Sequence, residues 1–246
     1  MRWICNNRIW LVIALLSLLL VPLLIRPPEG DTDTAQYIMV SRTILDQHSY
    51  PATRFPPVFP LMLSPLIYVF GYNLVAMQLL IVALAVITLY VCYRLVGSLA
   101  NEAYAILAVV LLGTSPLFLG NVRILSDIPF LFFILLALLF LSRYAQAEKY
   151  KTGSLYLGGI FVLLAFFTKA AGLALVIAAL GYMAYLTLWR HAPRKQVSGA
   201  LLLMVVPVAL WISFRGIVDQ SYLQPSVAKY MYAPGLGNMN WKEFVV

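Results

Sequence analysis

The feature that most constrains the fold is a long segment almost free of charge, Tyr72–Val96, whose one charged residue is Arg94. A membrane-spanning helix needs roughly 20 predominantly apolar residues, so this segment is long enough to cross a bilayer. Across the chain, 63% of the residues are hydrophobic and 11% are charged, against about 45–50% and about 25% in soluble domains. The sequence therefore predicts an all-α polytopic membrane protein. It excludes a secreted module, a nucleic-acid-binding domain and a disordered chain.

Seven segments are apolar enough to be expected as transmembrane helices. They are Ile9–Ile25, Tyr72–Val96, Ala103–Leu119, Ile128–Ser142, Leu155–Phe167, Gly172–Trp189 and Val197–Phe214. No small-residue cleavage site follows the first segment, which favours an uncleaved anchor over a signal peptide. A further apolar stretch, Pro57–Phe70, is only about 14 residues long and also contains Pro60 and Pro65, so we expect an interfacial or re-entrant helix there.

The distribution of basic residues predicts the orientation of these helices. Lys and Arg are denser on the short loops that lie on the same side of the membrane as the N-terminus than on the longer loops of the other side. Because such loops are usually cytoplasmic, this density predicts a cytoplasmic N-terminus. Residues 1–216 would form one transmembrane domain, with a first extracytoplasmic loop at about 26–71. Residues 217–246 read as another extracytoplasmic loop. The stretch Lys242–Val246 is typical of the start of a further element, which favours the N-terminal portion of a longer chain.

The cysteines and histidines exclude two kinds of site. Cys5 and Cys92 lie far apart, and the two histidines are His48 and His191. A disulfide framework or a thiolate zinc site is therefore not expected. The formal net charge of +8 is explained by membrane topology rather than by nucleic acid.

The first outside loop brings two aspartates, Asp31 and Asp33, to the start of an amphipathic helix expected to lie on the membrane surface. One face of this helix is mainly apolar and consists of Tyr37, Ile38, Ser41, Ile44 and Leu45. The other face is polar and consists of Gln36, Thr43, Asp46 and Gln47. Two interpretations of Asp33 stay open and can coexist. It caps the helix, with Gln36 three residues later, or its carboxylate acts as a general base or binds a cation.

Four more charged residues emerge on the same side of the map as the two aspartates: Arg54, Arg123, Asp127 and Lys169. Three of them also have a simpler structural interpretation. Arg54 and Lys169 could snorkel to lipid headgroups, and Asp127 could cap the helix that it precedes. Acids and bases gathered at one membrane face suit a substrate with a phosphate head and a lipid tail, because the bases would hold the phosphate and an acid would deprotonate the acceptor.

These motifs, taken in order, resemble those of the GT-C superfamily of polytopic glycosyltransferases. The pattern runs from an acidic motif ending at Tyr37, through Pro56-Pro57-Val58-Phe59-Pro60 and Phe70-Gly71-Tyr72-Asn73, to Ser126-Asp127-Ile128-Pro129-Phe130 and Leu164–Lys169. The branch that it resembles contains the protein O-mannosyltransferases and the aminoarabinose or lipopolysaccharide-core transferases. The resemblance covers roughly residues 1–175.

The resemblance implies a glycosyltransferase that moves a sugar from a polyprenyl-phosphate donor to a lipid, glycan or protein acceptor at the extracytoplasmic face of the cell membrane. The family's general base lies four residues before the tyrosine, which is Asp33 here. The family's acidic pair is broken by Thr34, and Asp31 is the nearest second acid. The resemblance also places Arg54, Asp127 and Lys169 in substrate binding. Tyr37, which ends the acidic motif, and Arg123, which emerges on the same side of the map, are further candidates for substrate binding.

Two other functional classes stay open. A lipid-carrier flippase would place charges along a path through the bilayer, and a non-catalytic membrane subunit would explain the missing second acid. No cofactor is expected with certainty, and a divalent metal near Asp33 or Asp127 is the one candidate. No metal ligand set is predicted.

Overall fold

In a computed structural model, the chain folds into a bundle of α-helices. The structure describes residues 2–25, 32–51, 55–146, 152–189 and 193–222. Within these ranges the helices are α1 (Arg2–Leu18), α2 (Val21–Ile25), α3 (Thr32–Gln47), α4 (Val58–Phe70), α5 (Leu74–Leu99), α6 (Glu102–Gly113), α7 (Pro116–Gly120), α8 (Asp127–Gln146), α9 (Thr152–Thr168), α10 (Gly172–Leu188) and α11 (Arg194–Tyr222). The predicted all-α polytopic fold is confirmed.

Within the described ranges, three helices are long and apolar enough to cross a membrane, namely α5, α8 and the part of α11 from Arg194 to Ser213. Five shorter apolar helices accompany them: Ile9–Leu23, Val58–Phe70, Glu102–Gly113, Thr152–Thr168 and Gly172–Leu188. Two of these helices, Ile9–Leu23 and Glu102–Gly113, are shorter than the expected spans Ile9–Ile25 and Ala103–Leu119. Thr152–Thr168 is longer than the expected Leu155–Phe167, and Gly172–Leu188 ends one residue before the expected span does.

Proline explains two of the differences. The expected span Ala103–Leu119 is interrupted at Thr114 and Ser115, directly before Pro116 starts α7. The expected span Ile9–Ile25 turns between α1 and α2, close to Pro22. Proline has no N–H and its ring clashes with the preceding helical turn, so a continuous helix through these positions is disfavoured.

Among the described residues, the helices pack around two large hydrophobic cores, and a third, small cluster of Val91, Leu95 and Leu139 lies between α5 and α8. One core joins α1, α3, α4 and α5 with the segment that precedes α8, and the other joins α8, α9, α10 and α11. Helix α8 packs against both α5 and α9 and so connects the two cores.

The predicted amphipathic helix of the first loop is α3, and its apolar face packs against α4. Tyr37, Ile38 and Ser41 are buried. The Ser41 hydroxyl donates to the carbonyl oxygens of Tyr37 at 2.7 Å and Pro60 at 2.9 Å. The Ser64 hydroxyl of α4 donates a hydrogen bond to the Ser41 carbonyl oxygen at 3.3 Å. The first-loop helices therefore form one hydrogen-bonded pair, which fixes the position of the residues at the start of α3.

Candidate active site

The segment between α7 and α8 is a tight loop held in the protein interior. Val122, Ile124 and Ser126 are buried, and each exposes 3% or less of its surface. The Gln78 side-chain amide of α5 donates to the Val122 carbonyl oxygen at 2.8 Å. A buried carbonyl without a partner would cost free energy, so this bond fixes the loop against the long helix α5.

Two further hydrogen bonds attach the start of α3 to the same loop. The Thr34 hydroxyl donates to the Ile124 carbonyl oxygen at 3.1 Å, and the Tyr37 hydroxyl donates to the Ser126 Oγ at 3.0 Å. The donors are one helical turn apart on α3, so they lie on one face of the helix. The acidic end of α3 is therefore docked directly on the chain that leads into Asp127.

Asp33 lies in the first turn of α3, next to Thr34 and one turn before Tyr37. A carboxylate at this end of a helix is favoured by the unpaired N–H groups there. The Tyr37 ring contacts Phe55, at 4.4 Å between centroids, and Phe59, at 4.8 Å. Since Tyr37 is 5% exposed, its ring and hydroxyl together limit the movement of the turn that carries Asp33.

Asp127 is the first residue of α8, and its carboxylate binds Lys169. The Lys169 Nζ lies 2.5 Å from the Asp127 Oδ1. The Lys169 side chain is 40% exposed and the Asp127 side chain is 32% exposed, so the pair remains open to solvent or to a ligand. Among the described residues, this carboxylate is paired with Lys169. The structure therefore shows an ion pair at Asp127, for which the sequence also suggested a helix cap.

Lys169 reaches Asp127 from a tight turn between α9 and α10. The Gly172 N–H donates to the Lys169 carbonyl at 2.8 Å. A Cβ at Gly172 would lie 2.5 Å from the Cα of Phe166 and 2.6 Å from its nitrogen. Only glycine permits this close approach of two backbone segments, so Gly172 is required for the turn that presents Lys169.

An apolar pocket of about 440 Å³ lies at the same end of the bundle. Its walls include Tyr50, Leu61 and Trp211. The Trp211 ring of α11 contacts Phe167, two residues before Lys169, at 5.6 Å between centroids, and contacts Tyr50 at 6.0 Å. The pocket therefore joins the first-loop helices to the segment that carries the Lys169 ammonium group.

The structure thus places the start of α3, which carries Asp33 and Tyr37, against the loop that leads into Asp127, and it pairs Asp127 with Lys169. Arg123 lies in the same loop, and its side chain is exposed. Asp31 and Arg54 lie outside the described residues. No group of three His, Cys, Asp or Glu side chains within the described ranges is arranged to hold a metal ion.

Sequence reasoning missed the residues that position these groups, namely Gln78, Ser126, Gly172 and Trp211. It noted Thr34 only as a break in an acidic pair. One signal was available for Gln78, which is the one amide side chain within α5, where a buried polar group needs a partner.

The position of Thr34 gives a physical reason for that break. Its side chain is 7% exposed and faces a carbonyl oxygen, so this position needs a hydrogen-bond donor. An ionised carboxylate can only accept, and it would be repelled by the Ile124 oxygen.

The chain matches one protein family and two solved structures. The profile of the family described as dolichyl-phosphate-mannose-protein mannosyltransferase matches residues 54–212, more than half of the chain. The S. cerevisiae protein O-mannosyltransferase Pmt1-Pmt2 complex bound to the sugar donor is similar, with a TM-score of 0.62 and 20% identity, over 87% of this chain and 34% of that chain. No curated protein sequence matches.

The Archaeoglobus fulgidus oligosaccharyltransferase in the apo form is also similar, with a TM-score of 0.63 and 16% identity. That match covers 85% of this chain and 30% of that chain, so the chain spans about a third of the length of each solved relative. The two structures show the fold, and the family profile shows the membership. The chain is an integral membrane protein with the GT-C fold, and it belongs to the dolichyl-phosphate-mannose-protein mannosyltransferase family.

Proposed function

We propose that this protein takes part in transferring a sugar from a polyprenyl-phosphate donor to a hydroxyl acceptor on a protein, lipid or glycan. The observation that carries the proposal is the docking of α3 on the loop before Asp127, through Thr34 and Tyr37. This docking brings an acid-bearing helix and a charged pair to one end of the bundle.

Asp33 acts as the general base in this proposal. Its carboxylate takes the proton from the acceptor hydroxyl while the hydroxyl oxygen attacks the anomeric carbon of the sugar. The bond between that carbon and the phosphate oxygen breaks, and the electron pair leaves with the phosphate, which inverts the anomeric centre. A carboxylate held at a helix start is suited to this role because its oxygens can accept the proton of a hydroxyl group within hydrogen-bond reach. Asp31 is the second acid available to the site.

Lys169 balances the charge of the leaving phosphate. The Lys169 side chain is 40% exposed despite the bond to Asp127, and an ammonium group has three N–H donors, so donors remain for a phosphate oxygen. Asp127 then holds the lysine in place. Arg54 and Arg123 supply additional positive charge. Tyr37 holds α3, the helix that carries the base, against the loop before Asp127.

The apolar pocket beside Tyr50 and Trp211 accepts the first isoprene units of the donor. It borders the segment that carries Lys169, so a lipid tail there would leave its phosphate near the ammonium group. Apolar walls with aromatic side chains are typical of a site for such a chain.

The site faces the outside of the cell in this proposal, with the N-terminus in the cytoplasm. The density of Lys and Arg on the N-terminal side supports this orientation. The test introduces a cysteine at Ser115 in a variant whose native cysteines are replaced (Cys5→Ser and Cys92→Ser). Labelling by a membrane-impermeant maleimide on intact cells would support the orientation, and protection from the reagent until lysis would contradict it.

The test of the proposed base uses Asp33→Asn and Asp33→Ala, with Asp46→Asn as a matched control on the same helix. Asp46 lies at the other end of α3, where it forms an exposed ion pair with Arg42. General base catalysis contributes about 10²–10⁴-fold, so both Asp33 variants should lose at least about 100-fold of the sugar transferred from a polyprenyl-phosphate donor in proteoliposomes. Asp46→Asn should retain wild-type transfer.

Donor binding separates this proposal from the two other functional classes. The Asp33 variants should still bind the donor, because the phosphate and lipid contacts remain. Binding without transfer by the wild type would indicate a non-catalytic subunit. Movement of the donor across the bilayer without transfer would indicate a flippase. Near-normal transfer by Asp33→Asn would exclude Asp33 as the base.

A further inference from the structure

A second cavity lies at the end of the bundle opposite the candidate active site. It has a volume of about 380 Å³, and its lining includes Arg94 on α5, Arg143 on α8 and Glu102 on α6. Arg143 lies sixteen residues after Asp127, which is about 24 Å along the helix axis. Arg94 lies sixteen residues after Gln78, which contacts the active-site loop. The two ends are thus separated by nearly the thickness of a bilayer's hydrocarbon core.

Aromatic rings orient both guanidinium groups. Arg94 donates to the Tyr90 hydroxyl at 2.9 Å, and its guanidinium carbon lies 5.9 Å from the centre of that ring. Tyr90 is itself stacked on Trp10, at 5.2 Å between centroids. The Arg143 guanidinium lies 5.5 Å from the centre of the Phe140 ring. Such contacts hold a guanidinium in place and leave most of its N–H donors available.

The charge of the cavity favours an anion. Within the part of the chain that the structure describes, neither arginine forms an ion pair with a carboxylate. Glu102 supplies one negative charge against two positive charges, so the lining is positive overall. Two arginines that converge from different helices can bind a phosphate through several parallel hydrogen bonds.

The surroundings of the cavity favour a lipid as the source of that phosphate. Leu99, Tyr104 and Leu107 lie on α5 and α6 next to the cavity, and each exposes more than half of its surface. In a membrane protein such an apolar surface is covered by acyl chains. A phosphate attached to acyl chains would therefore gain contacts here that free phosphate cannot make.

We propose that this cavity binds the headgroup phosphate of an anionic phospholipid, in the leaflet opposite the candidate active site. The guanidinium groups of Arg94 and Arg143 hold the phosphate, and the acyl chains lie along the exposed face of α6. Basic pockets between membrane helices are suited to such headgroups.

The test measures binding of short-chain phosphatidylglycerol to the full chain purified in detergent, by native mass spectrometry during a lipid titration. Arg94→Gln and Arg143→Gln should each weaken binding about tenfold, because each removes charge-assisted hydrogen bonds to the phosphate. Arg194→Gln is the matched control. Arg194 is an exposed arginine that starts α11 at the same end of the bundle but outside the cavity lining. Its replacement should change the affinity less than twofold.

A gain-of-affinity variant keeps the test decisive if an arginine variant folds poorly. Glu102→Gln removes the negative charge from the lining and should strengthen phosphatidylglycerol binding about threefold or more. Short-chain phosphatidylcholine should bind at least tenfold more weakly than phosphatidylglycerol to the unmodified chain, and inorganic phosphate should not compete at equal concentration.

Three results would overturn the proposal. Equal weakening by Arg194→Gln would show general electrostatic attraction rather than a site. Equal binding of phosphatidylcholine would show that the anionic headgroup is not recognised. Effective competition by inorganic phosphate would assign the cavity to a soluble phosphate instead of a lipid.

Discussion

The ion pair between Asp127 and Lys169 allows a folding role to be separated from a chemical role. We compare Asp127→Asn, Lys169→Met and the variant with both changes. If the pair served only to stabilise the fold, replacing both charges together should leave function largely intact. If Lys169 contacts the leaving phosphate, the double variant should fold and still fail to transfer sugar.

The expected effect on stability is small. Coulomb's law with the dielectric constant of bulk water gives about 1.7 kcal/mol at the 2.5 Å separation of the charged atoms. Both side chains are partly exposed, so screening and side-chain ordering reduce the net value to about 1 kcal/mol or less. Each single variant should lower the free energy of unfolding by about 1 kcal/mol. The double variant should be no less stable than either, because it leaves no unpaired charge.

The expected effect on activity is much larger. Removing one group that stabilises the developing charge of a transition state costs about 10²–10³-fold in rate. Lys169→Met and the double variant should therefore both lose about 100-fold or more of the initial rate of sugar transfer in proteoliposomes. Thermal unfolding of the same preparations in detergent measures the effect on stability.

The control is the exposed pair Arg42 and Asp46 on α3, whose charged atoms are 2.7 Å apart. Replacing both by Gln and Asn should cost a similar amount of stability or less and leave the transfer rate unchanged. Recovery of more than a tenth of the wild-type rate by the double variant of Asp127 and Lys169 would refute a chemical role for the lysine.

Two further predictions concern the residues that position the site. Gly172→Ala should destabilise the fold by about 1–3 kcal/mol and reduce transfer, because the added Cβ would clash with the backbone of Phe166. The control is Gly181→Ala on the same helix, where an added Cβ would have no other atom within 4 Å. This control should be neutral or slightly stabilising in thermal unfolding. Tyr37→Phe should cost about 1–2 kcal/mol and lower the rate, because the buried Ser126 hydroxyl loses its donor; unchanged values of both would show that this bond does not hold α3.

The long helices were predictable from the sequence because the bilayer imposes a simple length requirement. The expected segments Tyr72–Val96 and Ile128–Ser142 correspond to helices α5 and α8 to within a few residues. The breaks near Pro22 and Pro116 were not predicted, although proline gives a physical reason for both. An apolar run shows that a segment gains free energy by leaving water. It does not show where the backbone of that segment can remain helical.

The charged residues proposed for the site stand out in the sequence, but their arrangement does not. Asp33, Asp127 and Lys169 stand out because charges are costly inside a membrane protein and therefore collect at its faces. The residues that join them are ordinary in type. Thr34 is separated by ninety residues from its partner Ile124, and Gln78 by forty-four from Val122. No local pattern in the sequence links side chains to backbone oxygens at such distances.

Thr34 connects the one departure from the expected motif with the geometry of the site. The sequence pattern alone suggests that losing the second acid weakens the case for catalysis. The structure gives that position a different task, because its buried hydroxyl is the donor that docks α3 on the loop before Asp127. A carboxylate there would repel the carbonyl oxygen of Ile124 and oppose the docking. The same residue that removes one acid from α3 therefore fixes the helix turn that carries the other, Asp33.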